Sequence, residues 1–204
     1  MKVGVLALQG AFVEHGDILE RLGAEVRYVR LAEQLDGLDA AVIPGGESTT
    51  IALLLFDTGL HARLKALGAQ GLPLFGTCAG LIVLARRVPA LAHDTLGLLD
   101  VNVERNAFGR QVDSFETDLS IDGLAGPAFR GVFIRAPKIT AVGAGVEVLA
   151  RLRDGAVVAV REGRILATAF HPELTDDPRL HGLFLDIVSG RASSTSMETA
   201  PAAR

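Results

Sequence analysis

The sequence predicts an α/β domain: a three-layer sandwich with a mostly parallel central sheet and an antiparallel extension. Two observations predict this architecture. In the first half of the chain, short apolar segments rich in β-branched residues alternate with helical patterns. In the second half, strand-like segments follow one another with only short turns between them. Alternating strands and helices are typical of a parallel sheet covered on both faces, whereas consecutive strands are typical of antiparallel pairing.

The first half supplies the parallel part of the sheet. Helices are expected to begin near Phe12, Ser48 and Ala79, each after an apolar segment. Because ligands bind beyond the carboxyl ends of the strands in such sheets, the active site is expected at that edge. The predicted strands are residues 2–8, 25–29, 40–43 and 72–75.

The second half supplies the antiparallel extension of the same domain. A closing amphipathic helix is expected from Arg179 to Ser189, after acidic residues and Pro178 that suit a helix start. We expect one domain over residues 1–190 and a disordered tail over residues 191–204, which are small, polar and non-periodic. The strand-like segments are residues 101–105, 111–119, 131–135, 146–153, 156–161 and 164–170.

The composition excludes several classes of protein. The 204-residue chain is 49% hydrophobic, and its net charge of −4 gives no basic surface for nucleic acid. No apolar run approaches the roughly 20 residues that cross a bilayer, and the N-terminus lacks signal-peptide features, so we expect a cytoplasmic protein with no membrane contact. The single cysteine, Cys78, excludes an intrachain disulfide and a cysteine-rich metal cluster. The glycine motifs of nucleotide-binding loops are absent, and we expect neither a metal nor a cofactor.

Cys78 lies in the segment Gly76-Thr77-Cys78-Ala79-Gly80, between a predicted strand and a predicted helix. This is the setting of a nucleophile elbow, a tight turn that projects one side chain above the sheet edge. The flanking glycines allow strand and helix to approach closely, and the Ala79 amide can point toward the space beside the sulfur. Most free cysteines are buried small hydrophobes, which is the alternative for Cys78. The glycine context favours a catalytic thiol.

His171 is the best candidate among the five histidines for the base that a thiol nucleophile needs. It ends an apolar strand and is followed by Pro172 and Glu173. Side chains two positions apart in an extended segment point to the same side, so Glu173 can orient the imidazole. The alternative is a surface turn with two unrelated polar groups.

A third segment, Pro44-Gly45-Gly46-Glu47-Ser48, ends the third predicted strand. Its glycine amides could stabilise a developing oxyanion together with the Ala79 amide. The alternative is an ordinary strand-to-helix turn in which Ser48 caps the helix.

These three segments together resemble the pattern of class I glutamine amidotransferases, whose fold the chain is therefore expected to share. Further blocks narrow the resemblance to the glutaminase subunits of pyridoxal 5′-phosphate synthases, and they extend over nearly the whole chain up to about Gly190. The blocks are residues 8–11 with Glu14 and His15, 47–50, 105–111, 133–137 and 170–175. One departure is Ala107, where the family pattern has a serine, and the polar tail after Gly190 is another.

The resemblance implies that Cys78 attacks the side-chain amide of L-glutamine, which forms a glutamyl thioester and releases ammonia. His171 would act as base and then as acid, and Glu173 would orient it. The amides of Gly46 and Ala79 would form the oxyanion hole. The implied glutamine-binding residues are Gly46, Glu47, Ser48, Arg105, Ile134 and Arg135. Without the family pattern, the two arginines would be interpreted as solvated cations at strand ends, although a guanidinium pairs well with a carboxylate such as that of glutamine.

The resemblance also implies a partner. In the family, a synthase subunit receives the ammonia through its interior, within a large hetero-oligomer, and condenses it with ribose 5-phosphate and glyceraldehyde 3-phosphate. Gln9 and Gly10 are expected to contact that synthase, with Glu14 and His15 as further interface residues.

Two other functions remain open at this point. The chain could be the glutaminase subunit of another amidotransferase, such as imidazole glycerol phosphate synthase, which would keep the triad but lack the block at residues 105–111. It could also be a non-catalytic regulatory module with Cys78 as a redox sensor. The pairing of His171 with Glu173 argues against a sensor, because a sensor thiol needs no base oriented by a carboxylate.

Overall fold

The structure, a computed structural model, describes residues 1–89, 91, 93–105 and 114–191. None of the helices in this part of the chain is long and apolar enough to cross a membrane. The helices are α1 (Phe12–Arg21), α2 (Ser48–Asp57), α3 (Leu60–Ala69), α4 (Ala79–Leu84) and α5 (Arg179–Val188), with short 3₁₀ turns at Ala32–Leu35 and Pro172–Leu174. The strands are β1 (Lys2–Leu6), β2 (Glu25–Val29), β3 (Ala40–Ile43), β4 (Leu74–Thr77), β5 (Ala85–Arg87), β6 (Leu99–Glu104), β7 (Ser114–Leu119), β8 (Phe129–Ile134), β9 (Lys138–Val142), β10 (Glu147–Arg151), β11 (Val157–Glu162) and β12 (Ile165–Thr168).

Within the described residues, most strands form one large sheet in the order β2-β1-β3-β4-β12-β11-β9-β6-β5, with β10 paired to β11. The strands β2, β1, β3, β4 and β12 are mutually parallel. Beyond β12 the pairs with β11, β9 and β6 are antiparallel, and β5 joins β6 in parallel. The strands β7 and β8 form a separate antiparallel pair. The expected combination of a parallel sheet with an antiparallel extension is confirmed.

The position of β12 differs from the expectation that residues 164–170 belong to the antiparallel extension. This strand pairs in parallel with β4 on one side and antiparallel with β11 on the other. Its four residues are all buried, which suits a strand at the centre of a covered sheet. The consequence is functional, because the residues that follow β4 and β12 emerge side by side at the same edge of the sheet.

Helices cover both faces of this sheet. The Phe75 ring packs against His15 of α1 and Phe184 of α5. The neighbouring position, Gly76, faces Leu84 of α4. Because adjacent positions of a strand point to opposite faces, α4 lies on the other side of the sheet from α1 and α5. The three layers are therefore helix, sheet and helix, as predicted.

Several element boundaries differ from the sequence predictions for local reasons. The β4 strand begins at Leu74 rather than at residue 72, because Pro73 has no amide N–H for the ladder. The helical region after Ser48 is divided at Gly59, whose φ of +72° ends one helix and begins the next. The strand β9 has no counterpart among the predicted strands, and four of its five side chains are exposed. The predicted strand at residues 111–119 and the predicted tail at residues 191–204 lie partly outside the described residues, and the departure at Ala107 lies entirely outside them.

Candidate active site

Cys78 occupies a strained turn between β4 and α4. Its φ of +49° lies in a region that side chains rarely adopt, as a nucleophile elbow requires. The Cys78 amide donates a 2.8 Å hydrogen bond to the carbonyl of Thr168, at the end of β12. A side chain at Gly80 would collide with the carbonyl of Ile43, which explains the small residue there. The sequence-based prediction of an elbow at Cys78 agrees with this geometry.

His171 follows β12 and lies beside Cys78. Its ring and the Cys78 Cβ both border Gly45, where any side chain would collide with the ring. His171 Nδ1 lies 2.7 Å from Glu173 Oε1, and the Glu173 side chain is completely buried. The two residues meet through the 3₁₀ turn Pro172–Leu174 rather than through the extended segment that we expected. The compact turn brings the carboxylate back beneath the ring, so the expected contact forms with a different backbone.

The electrostatic environment favours a protonated His171. Burial lowers the pKa of His171, but hydrogen bonds with Cys78 and Glu173 outweigh that effect and raise the pKa to about 10. Both bonds favour the imidazolium, because each of its two ring N–H groups then has a partner: Glu173 for one and Cys78 for the other. A proton transferred from the Cys78 thiol would therefore be held on the imidazole at neutral pH.

The turn after β3 lies against this pair. The Gly45 amide donates to Thr77 Oγ1 across 3.0 Å, so this amide is already occupied. Gly46 and Glu47 are the exposed residues of this turn, and the Glu47 amide is bonded to Gln9. Ala79 is the first residue of α4, where a helix leaves its amides without internal acceptors. Gly46 and Ala79 thus remain the candidates for the oxyanion hole.

A second turn fixes the position of this one. The side-chain oxygen of Gln9 accepts a 2.7 Å hydrogen bond from the Glu47 amide. Gly10 adopts a φ of +94°, and a side chain there would collide with the carbonyl oxygen of Gly45. The residues after β1 and those after β3 are therefore coupled at the edge of the sheet.

Two of the expected glutamine-binding residues contact each other. Glu47 caps α2 by accepting hydrogen bonds from the amides of Thr49 and Thr50, which lowers the pKa of its carboxyl to about 2 against the opposing effect of burial. Arg105 donates to Thr49 Oγ1 at 3.0 Å and lies 3.6 Å from Glu47 Oε1. Ser48 is buried and does not cap the helix, so the cap that the sequence suggested at Ser48 is supplied by Glu47. A carboxylate and a guanidinium are thus available for the charged end of an amino acid.

Ile134 is the last residue of β8 and approaches Cys78, and Arg135 follows it. The carbonyl oxygen of Ile134 lies 4.0 Å from the Cys78 sulfur, and Arg135 has a φ of +43°. Both side chains are exposed. The Ile134 carbonyl, rather than its exposed side chain, is therefore the group that reaches the thiol.

The four expected interface residues do not share one surface. Gly10 and Glu14 are exposed and Gln9 is half-buried, so these three are accessible. His15 is completely buried, and its ring points into the core toward Glu173 and His181. The assignment of His15 to the interface is therefore corrected: α1 turns this side chain toward the sheet, away from any partner.

Three residues beside the triad make contacts that the sequence-based prediction did not include. Gly45 leaves space for the His171 ring, and Thr77 Oγ1 accepts a hydrogen bond from the Gly45 amide. His181 Nε2, on α5, lies 2.8 Å from His15 Nδ1. Thr77 immediately precedes Cys78, and a polar residue in a buried strand is a signal that could have identified it. His181 lies between apolar residues on α5, but spacing alone does not show that it reaches α1 across 166 positions. The part of the chain that the structure describes holds no group of three or more potential metal ligands.

Comparison with known proteins gives consistent matches. A model of the SNO glutamine amidotransferase family matches residues 5–189. The pyridoxal 5′-phosphate synthase subunit PdxT of Pelotomaculum thermopropionicum is 59% identical over 186 residues, which is 91% of this chain and 94% of that protein. The PdxT subunit of Geobacillus kaustophilus is 52% identical over 198 residues, which is 97% of this chain and 100% of that protein.

Solved structures agree. The structure of a glutamine amidotransferase superposes with a TM-score of 0.87 at 53% identity, covering 92% of this chain and 98% of that chain. The structure of PurLQS from Thermotoga maritima, at 17% identity and a TM-score of 0.68, shares the fold over 91% of this chain and 97% of its own. The chain belongs to the SNO glutamine amidotransferase family.

Proposed function

We propose that this protein is the glutaminase subunit of a pyridoxal 5′-phosphate synthase and that it supplies ammonia from L-glutamine to a synthase partner. The observation that carries the proposal is the arrangement of Cys78, His171 and Glu173 at the carboxyl ends of two adjacent parallel strands. The identity of 52–59% to PdxT subunits over most of the chain supports the pathway. No observation favours the glutaminase of another pathway or a redox sensor.

The proposed reaction begins with a proton shift from the Cys78 thiol to His171. The sulfur attacks the side-chain carbonyl carbon of glutamine, and the carbonyl oxygen becomes an oxyanion beside the Gly46 and Ala79 amides. When the C–N bond breaks, His171 gives its proton to the leaving nitrogen, and ammonia departs. Water, deprotonated by His171, then cleaves the thioester to glutamate and restores the thiol.

Glutamine recognition is assigned to the groups around this centre. Arg105 would pair with the α-carboxylate of glutamine and Glu47 with its α-ammonium group, because these are the charges that each can complement. Gly46, Ser48, Ile134 and Arg135 would complete the site, chiefly through backbone groups. The mutual contact of Arg105 and Glu47 supports this assignment, since the α-carboxylate and the α-ammonium group of an amino acid are bonded to the same carbon.

The partner would control access to this centre. Cys78 retains only 6% of its surface exposed and His171 only 8%, so the thiol is poorly accessible in the isolated subunit. The turn of Gln9 and Gly10 is accessible and contacts the Gly45 to Glu47 turn directly. A synthase bound at Gln9, Gly10 and Glu14 could therefore shift the oxyanion turn and open the site.

The experiment measures glutamate release by the purified glutaminase with and without the synthase. We expect slow hydrolysis by the glutaminase alone and a substantial increase on addition of the partner, with Cys78→Ala inactive in both states. Formation of pyridoxal 5′-phosphate from ribose 5-phosphate, glyceraldehyde 3-phosphate and glutamine identifies the pathway. Equal rates of glutamate release with and without the synthase would contradict the coupled function.

A further inference from the structure

Two buried histidines outside the triad face each other between α1 and α5. His15 and His181 are both completely buried, and His15 Nδ1 lies 2.8 Å from His181 Nε2. Their rings pack edge-on against Phe75, and Phe75 in turn contacts Phe184. Burying two polar side chains in such an apolar setting costs free energy unless they form hydrogen bonds. The contacts of the two rings are therefore expected to serve a function.

The second nitrogen of His15 reaches the proposed catalytic centre. His15 Nε2 lies 3.3 Å from Glu173 Oε2. The other carboxylate oxygen of Glu173 is held by His171 Nδ1 at 2.7 Å. The two oxygens of Glu173 therefore face two different histidines, one that takes part in the chemistry and one that does not.

The same His15 nitrogen also reaches the oxyanion turn. His15 Nε2 lies 3.2 Å from Thr77 Oγ1, and this hydroxyl oxygen also accepts a hydrogen bond from the Gly45 amide. Thr77 immediately precedes the nucleophile. One nitrogen atom thus stands between the carboxylate of the triad and the segment that carries the candidate oxyanion hole.

The contacts of the two rings favour one distribution of their protons. Burial lowers the pKa of His15 well below its usual value, and repulsion from His181 and His171 lowers it further. Burial and repulsion from Arg21 lower the pKa of His181 to about 3. Both rings are therefore neutral. Glu173 Oε2 has no aligned hydrogen-bond partner among the described residues, and His15 Nε2 is the ring nitrogen that lies 3.3 Å from it. A carboxylate oxygen attracts an N–H and repels a ring lone pair, so this contact favours the His15 tautomer with its proton on Nε2. His15 Nδ1 is then an acceptor, and His181 must donate from its own Nε2. His181 Nδ1 is left as an acceptor, in agreement with the absence of a hydrogen-bond partner for this atom among the described residues.

We propose that His181 and His15 form a positioning pair: His181 fixes the tautomer of His15, which then orients the Glu173 carboxylate and Thr77 for glutamine hydrolysis. The carboxylate of a glutamate rotates broadly about its last bond unless neighbouring groups favour one orientation. The His15 ring nitrogen 3.3 Å from Oε2 favours the orientation in which Oε1 faces His171. The inference rests on the proposed glutaminase function and adds to it two residues that touch neither substrate nor sulfur.

The test replaces His181 with two residues of similar size. His181→Gln keeps an amide donor near the position of Nε2, whereas His181→Met removes the donor. In the assembled complex with the synthase, we expect His181→Met to lower kcat for glutamine hydrolysis by about tenfold, the effect of losing one buried hydrogen bond, with KM within about twofold. His181→Gln should recover most of that loss. A merely structural role would lower the melting temperature in both variants without separating their kcat values.

A second pair makes the result independent of how well the His181 variants fold. His15→Gln retains a donor toward Glu173 and Thr77, and His15→Leu has none. We expect His15→Leu to lose at least about tenfold more in kcat than His15→Gln. The control is His61→Met, which removes a partly buried histidine bonded to the Thr95 carbonyl and far along the chain from the triad. It should affect stability only.

The outcomes separate the two proposals. Equal kcat values within each folded pair, with an active wild-type complex, would overturn the positioning role and leave the glutaminase function intact. A wild-type complex that releases no glutamate would instead overturn the function itself. Synthesis driven by ammonium salts should be unchanged in all variants, because it bypasses glutamine hydrolysis.

Discussion

The backbone amide of Cys78 donates a 2.8 Å hydrogen bond to the carbonyl of Thr168. This bond joins the nucleophile elbow to the end of β12, and His171 follows three residues after Thr168. The parallel pairing of β4 with β12 continues to the pair Thr77 and Thr168, so the two catalytic segments leave the sheet in register. The distance between sulfur and imidazole is therefore set by the sheet rather than by flexible loops.

The titration of His171 should depend on Glu173. Burial lowers the pKa of His171, but the bonds to Cys78 and Glu173 raise it to about 10, and Glu173→Gln removes the charge of one partner. We expect the titration midpoint of the His171 ring, followed by NMR, to fall in Glu173→Gln. Glu116→Gln, which removes an exposed partner of Arg130, is the control and should leave that midpoint unchanged. Identical midpoints in wild type and Glu173→Gln would contradict the account.

The same shift predicts how stability depends on pH. Because the folded-state pKa of His171 is raised from 6.5 to about 10, the protonated ring contributes stability that is fully present below pH 6.5 and is lost as the pH rises through about 10. The difference in unfolding free energy between wild type and Glu173→Gln should therefore be largest near pH 6.5 and narrow toward pH 10. Chemical denaturation at a series of pH values measures it. A difference that widens with pH would have the wrong sign.

Arg105→Met should weaken glutamine binding more than it slows the chemistry. Loss of a charge-assisted hydrogen bond costs about 1.5–3 kcal/mol, so we expect KM to rise roughly 10- to 100-fold with kcat little changed. Steady-state kinetics of glutamate release in the complex provide both constants. Arg86→Met, which breaks an exposed pair with Asp100, is the matched control. A fall in kcat at constant KM would instead assign Arg105 to the chemical step.

Gly10→Ala should disturb the oxyanion turn. A methyl group there meets the Gly45 carbonyl oxygen, whereas Gly23 has a similar φ of +84° and open space around it. The control is Gly23→Ala. Both substitutions incur backbone strain of roughly 1–2 kcal/mol, but only Gly10→Ala should also lower kcat, by about tenfold or more. Denaturant unfolding and glutamine turnover separate the two effects. Equal activity of the two variants would mean that Gly10 does not support the site.

The layers of the fold and the triad are predictable from the sequence because both depend on local signals. The alternation of apolar strands with helices is visible in the chain, and Cys78 and His171 each follow a strand with a distinctive neighbour. The position of β12 is not predictable in this way, because strand order depends on which buried strand fits the centre of the sheet, and four apolar residues do not encode that.

The surroundings of the triad are less predictable for the same reason. His15 belongs to a block of the family resemblance that is expected at an interface. Its side chain is nevertheless buried, because the packing of α1 decides which of its side chains face the core. The hydrogen bond between His15 and His181 joins positions 166 residues apart, which no local pattern signals. The assignment of residues 191–204 as a tail stays a prediction, since residues 192–204 lie outside the described part of the chain.

The most direct measurement of the central claim is pyridoxal 5′-phosphate synthesis by the complex that contains Cys78→Ala, with glutamine or with an ammonium salt as nitrogen source. We expect glutamine-dependent synthesis to fall by roughly a millionfold, to an undetectable rate, because the nucleophile of a triad is lost. Ammonium-dependent synthesis should match that of the wild-type complex. Glutamine-dependent synthesis by the variant, or failure of ammonium to restore synthesis, would contradict the account.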